Sequence, residues 1–130
     1  MIYLLDSSAL LPLLWTQHEH HGVVQSWYLD KGSDMELSTC PLVELAFLRL
    51  SMQLFKADYH TASSLLKQFK QQPHRHFWGD DFSPDSLHGI VGHQQINDVY
   101  LAELAERNAG KLAAVDKTIY HSAVEKIPQP

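Results

Sequence analysis

The chain has 130 residues, one cysteine and a formal net charge of -5, with 45% hydrophobic and 19% charged residues. Those totals suit one domain over residues 1–130 and argue against a disordered, fibrous or membrane-spanning chain. A lone Cys40 rules out an internal disulfide and makes a thiolate metal site a poor expectation. The negative charge argues against a protein that coats nucleic acid, but not against a nuclease, whose carboxylates a bound cation would neutralise.

The opening MIYLLDSSALLPLLW lacks a basic segment and is interrupted by Asp6. It reads neither as a signal peptide nor as a membrane span, and the expected location is cytoplasmic. Residues 2–5, Ile-Tyr-Leu-Leu, are a continuous apolar run that fits a strand buried on both faces. Ser7 or Ser8 can cap a helix over 8–15, with Pro12 in its first turn or kinking it. A second helix is expected over 19–30. A strand over 35–38 follows, with Thr39 as cap and Pro41 in the opening turn of a helix over 41–53. That helix is apolar nearly all round, which predicts burial, and it carries Glu44.

Residues 59–72 read as an amphipathic helix stopped by Pro73, and 76–78 as a short strand. A loop over 79–84, a short helix over 84–91 and a second loop through His93-Gln94-Gln95 come next. Asn97 or Asp98 can cap a helix over 98–108, with Gly110 as its C-terminal glycine. Lys111–Val115 reads as a strand, 117–124 as a short helix and 124–127 as an edge strand. Strands alternating with helices predict an α/β fold with a mainly parallel central sheet covered on both faces.

In such a sheet the residues just after strand ends gather along one edge, where ligands bind. Asp6 and Asp116 each follow a strand, Asp98 opens a helix, and Glu44 lies early in another. A cluster of carboxylates needs counter-charge. A hard divalent cation supplies it, taking one or two carboxylates with waters and phosphates. Each acid also has a structural alternative. Asp6 and Asp116 can be helix caps, and Asp98 can favour a helix dipole. Glu44 can form an ion pair with Arg49.

Four segments, YLLDSSALLPLL, STCPLVELAFLRL, INDVYLAELAERNAGKLAAVD and the KTIY after them, resemble the PIN-domain ribonucleases. Within these they are similar to the VapC-type toxins of toxin–antitoxin pairs. The resemblance spans nearly the whole chain and implies a PIN-like three-layer α/β/α sandwich. It implies a hydrolase that cleaves RNA phosphodiesters with Mg²⁺ or Mn²⁺, in a homodimer silenced by a cognate antitoxin. Asp6, Asp98 and Asp116 then become metal ligands, and Glu44 a ligand or a residue that orients a ligand water. Ser8 and Asn97 support them, and Arg49, Lys117 and Arg75 are candidates for touching RNA. Thr118 stands where many relatives have a further Asp, which weakens the case for a second metal.

Other features carry less. The HEHH run at 18–21 has no recognised zinc spacing. His93 reads as a loop histidine that could reach the active edge, and Phe77 and Trp78 as packing residues before stacking ones. A catalytically silent PIN-like binding module and a Mg²⁺-binding receiver domain remain the alternatives. The second lacks the paired acids and the lysine it would need.

Overall fold

The computed structural model describes residues 1–32, 35–115 and 121–128. Among the described residues five strands form one parallel sheet in the order β3-β2-β1-β4-β5. They are β1 (Ile2–Leu5), β2 (Glu36–Thr39), β3 (Arg75–Phe77), β4 (Lys111–Val115) and β5 (Val124–Ile127). Helices α1 (Ser7–Leu14), α2 (His21–Lys31), α3 (Pro41–Phe55), α4 (Tyr59–Lys70) and α5 (Ile96–Arg107) connect them. From β1 the chain steps outward through β2 to β3, then crosses back to β4 on the other side. Right-handed crossovers therefore put α1–α4 and α5 on opposite faces. Contacts agree: α1 packs against α2, α3 and α4, while α5 packs on β4 and β1. The result is the expected α/β/α sandwich.

The core lies where the central strands meet both helical layers. Leu4, Leu5, Leu37, Leu112 and Ala113 are fully buried, as continuous apolar strands of a covered parallel sheet should be. Phe47 of α3 and Leu104 of α5 close it from the helices. Trp15 donates from Nε1 to Ser51 Oγ at 2.8 Å, and Ser51 donates to the Phe47 carbonyl at 2.7 Å, so the end of α1 is locked to α3.

Several elements depart from the sequence reading. Asp6, not Ser7 or Ser8, caps α1, and Pro12 sits past its first turn. The last residue of β2 is Thr39, so Cys40 takes the cap position of α3. α3 is not buried all round. Val43, Phe47 and Ser51 are buried, while Leu45, Met52 and Leu54 are 63%, 43% and 54% exposed. Among the described residues α3 packs chiefly on α1 and α4. The helix expected over 84–91 is a single 3-10 turn, Pro84–Ser86. α5 begins at Ile96, which moves Asn97 and Asp98 from cap into its first turn. Ala109 (φ 56°), not Gly110, takes the left-handed conformation after α5. Gly110 serves a close approach instead, since a Cβ there would run into the Ile2 carbonyl oxygen. The helix expected over 117–124 lies mostly outside the described residues, and 121–123 form a turn. Among the described residues no helix is long and apolar enough to cross a membrane.

Candidate active site

The strand order reverses between β1 and β4, the place where open α/β sheets bind ligands beyond their strand ends. Asp6 is the residue that follows β1, so the fold delivers it to that point. It is 3% exposed, and its Oδ2 accepts the Ser8 N–H at 3.0 Å. Its own N–H donates to Ala113 of β4 at 2.9 Å. Ser8 reaches further. Its Oγ accepts the Val115 N–H at 3.1 Å, tying α1 to the end of β4.

A cavity of about 340 Å³ opens beside Asp6. Asp6 and Ser7 line it from one side, Leu42, Val43, Leu45, Ala46 and Arg49 from α3, and Gln94, Asn97, Asp98 and Leu101 from the approach to α5 and α5 itself. At about 100° per residue, positions 42, 45, 46 and 49 share one helix face, which brings Arg49 to the acids. The α5 start is held by Gln95, whose Oε1 accepts the N–H of Val91 at 2.7 Å and of Gly92 at 3.1 Å. Asn97 and Asp98 are therefore presented by a fixed turn.

Glu44 is not among the residues lining this cavity. It projects from α3 about 200° away from Leu42 around the helix axis. Its Oε2 accepts the Thr39 hydroxyl at 2.6 Å and meets Lys70 Nζ at 2.9 Å. Lys70 of α4, not Arg49, is its ionic partner. Asp116, Lys117 and Thr118 lie outside the described residues, though Val115 ends β4 on the same sheet edge as Asp6. Arg75 opens β3 at the opposite edge, bonded to Gln72 and Tyr28, so it is no part of the site. His93 is exposed and starts the 3-10 turn, while the neighbouring Gln94 faces the cavity. Nothing in the sequence marked Gln94 beyond its place before the Asp98 helix.

The HEHH run shapes the corner between α1 and α2. His18 Nδ1 accepts the His20 N–H at 3.0 Å, and His21 Nδ1 bonds the Pro12 carbonyl at 2.8 Å. Burial, then the neighbouring His20, holds the His18 pKa below its ordinary value. Phe77 is 51% exposed with Lys70 Nζ 4.5 Å above its ring, while Trp78 packs against the core.

Among the described residues no group of three or more His, Cys, Asp and Glu side chains comes together as a metal site. Two carboxylates with the Asn97 and Gln94 amides nonetheless give the cavity hard oxygen donors. That donor type suits Mg²⁺ or Mn²⁺, which accept one or two carboxylates and fill the remaining positions with water and phosphate.

A parallel α/β/α sandwich with carboxylates at its topological switch point fits a PIN-like domain. No family model matches the chain. It is 30% identical to Ribonuclease VapC29 of Mycobacterium tuberculosis over 123 residues, covering 93% of this chain and 90% of that protein. It is 30% identical to Ribonuclease VapC38 of the same species over 136 residues, covering 98% and 94%. A chain in the crystal structure of VapBC2 from Rickettsia felis, bound to a DNA fragment from its promoter, superposes with a TM-score of 0.61. That match has 16% identity and covers 97% of this chain and 98% of the other, so it speaks for the fold. The chain belongs to the VapC ribonuclease family.

Proposed function

We propose that the chain, acting as one PIN-like domain over 1–130, is a Mg²⁺- or Mn²⁺-dependent endoribonuclease and the toxin of a toxin–antitoxin pair. The observation that carries the reading is the shared cavity of Asp6, Asp98 and Arg49 at the sheet's switch point. Asp6 and Asp98, with Asp116, which follows β4 in the sequence, would hold the ion. When bound, the cation lowers the pKa of water and offsets negative charge on the scissile phosphate.

The chain's own groups do the positioning. The Asp6 carboxylate is held by the Ser8 N–H. The Arg49 guanidinium opposite offers a planar fork of donors for phosphate oxygens. Asn97 supplies an amide beside Asp98. Glu44, engaged by Thr39 and Lys70, is assigned an outer place, orienting water toward the site. The apolar walls of Leu42, Val43 and Leu101 limit water and strengthen these electrostatic contacts.

The exposed apolar side chains of Leu45, at the cavity wall, and Met52, one heptad further along α3, support a homodimer. The acidic cavity supports an antitoxin that inserts a basic side chain, and a cytoplasmic location is part of the same reading.

Antitoxin-free protein incubated with total RNA in Mg²⁺, Mn²⁺ or EDTA, beside Asp98→Asn, tests the reading. Discrete cleavage that needs metal and vanishes in the variant is the expected result. Cleavage that survives both EDTA and Asp98→Asn would overturn it.

A further inference from the structure

A second cavity, of about 250 Å³, lies next to the acidic one and shares Leu42 and Asn97 with it. Its remaining walls are Asp80, Pro84, Ile96 and Tyr100. The volume falls below the ~300–1,000 Å³ of sites for drug-sized ligands and suits a single ring system. The walls are preformed. Phe82 stacks on Tyr100 with centroids 4.4 Å apart and planes 10° apart, and the Tyr100 hydroxyl donates to the Phe82 carbonyl at 3.0 Å. Arg107 lies 4.0 Å over the other partner of that stack, the Phe82 ring. The segment carrying Asp80 is thereby fastened to α5. Burial and then the Asp80 charge push the Tyr100 phenol up from its ordinary value, which puts that carboxylate beside the cavity's aromatic wall.

We propose that this cavity is a base subsite of the ribonuclease, taking the nucleobase next to the scissile phosphate, and that Asp80 selects guanine. The proposal rests on the ribonuclease reading of the adjoining cavity. Leu42, Ile96, Pro84 and Tyr100 give apolar surface for the faces of a base. An ionised carboxylate is acceptor-only, with two oxygens side by side. Guanine alone presents two adjacent donors, N1–H and the 2-amino group, on one edge. Adenine and cytosine offer one amino donor beside an acceptor nitrogen that a carboxylate repels. Single-stranded RNA leaves that edge open to be read. Because Asn97 and Leu42 border both cavities, one strand can place its phosphate by Asp98 and Arg49 and its base by Asp80.

Four fluorescent hexanucleotides, uridine throughout except for one G, A, C or U, are titrated in EDTA and followed by anisotropy. The strand can slide, so a preferred base finds the pocket. The wild-type chain is expected to bind the G hexamer about tenfold more tightly than the A hexamer, the worth of one good bidentate contact. Asp80→Asn is expected to bring that ratio near one. Asp85→Asn, the same charge change on the same segment outside the cavity, should keep it. Equal binding of all four by the wild-type chain, or a G preference that survives in Asp80→Asn, overturns the subsite. Cleavage of the same hexamers in Mn²⁺ is read separately. Discrimination without cleavage leaves the subsite standing and removes the nuclease, and cleavage without discrimination does the reverse.

Discussion

The Ser8 hydroxyl oxygen accepts the Val115 N–H at 3.1 Å while the Ser8 N–H holds Asp6 Oδ2 at 3.0 Å. One residue thus couples the carboxylate after β1 to the strand that leads into Asp116. Ser8→Ala leaves the buried Val115 amide without this acceptor, at a cost of about 1–3 kcal/mol. Urea unfolding with an unchanged slope should report that loss. Mn²⁺ affinity, read by calorimetry, should drop ~10-fold, as for other residues that support metal ligands. Ser8→Thr keeps the oxygen and should restore both. A variant as stable as wild type, binding Mn²⁺ as tightly, would remove Ser8 from the site.

The acids should separate by position. Asp6→Asn and Asp98→Asn each remove a carboxylate that lines the cavity, and neither variant should bind Mn²⁺ measurably. Glu44→Gln leaves those carboxylates in place. It should slow cleavage while weakening Mn²⁺ binding by no more than ~10-fold. Loss of Mn²⁺ from Glu44→Gln as complete as from Asp98→Asn would mean that Glu44 leaves Lys70 and Thr39 to ligate the ion directly.

The strand ends were legible because period and punctuation are local. A short apolar run followed by Asp places β1 and Asp6, and LAAV followed by Asp places β4. Asp98 was legible for the same reason, although α5 starts two residues earlier than its best cap. Glu44 was not. Its partner Lys70 is 26 residues away on α4, and only tertiary packing brings the two together. The exposure of α3 was equally hidden. An apolar pattern says which residues avoid water but not whether this chain alone covers them. Arg49 was visible as a charge, while its facing the cavity rather than Glu44 depends on the helix phase set by Val43 and Phe47 in the core.

Cys40 gives a pH test. Burial pushes its thiol from 9.0 to about 11, so the folded chain keeps it protonated well above neutrality. An alkylating reagent at pH 8 should leave native protein unmodified and react fully in denaturant. The sign for stability follows from a folded pKa above the unfolded one. The contribution is intact below about 9 and is lost as pH rises through about 11. Prompt native labelling at pH 8 would contradict the burial of Cys40.

The edge strand β5 is fastened by charge. Glu125 Oε2 accepts Trp27 Nε1 at 2.8 Å and meets Lys31 Nζ at 2.9 Å. Burial alone would raise the Glu125 pKa, but the bonds from Lys31 and Trp27 outweigh it and hold the carboxyl below its ordinary 4.5. A depressed pKa means the stabilisation is present above 4.5 and fades as pH falls through the folded value. Glu125→Gln should therefore cost about 1 kcal/mol at pH 7, since the pair is partly exposed and screened. The gap to wild type should close when unfolding is measured near pH 3. An equal gap at both values would mean the bonds matter for shape and not for charge.

The proposed dimer surface can be tested at a residue that does not line the cavity. Met52 is 43% exposed on the same face of α3 as Leu45 and does not line the cavity. A glutamate there should meet its symmetry mate or apolar surface in a two-fold dimer and cost the association strongly. If the wild-type chain forms the proposed dimer, light scattering of Met52→Glu should give the 14.8 kDa monomer at the same concentrations, a weakening of at least ~10-fold. Met52→Leu conserves apolar volume and should remain a dimer. If Met52→Glu dimerises as well as wild type, the exposed stripe on α3 belongs to another partner, and the antitoxin becomes the first candidate to titrate against it.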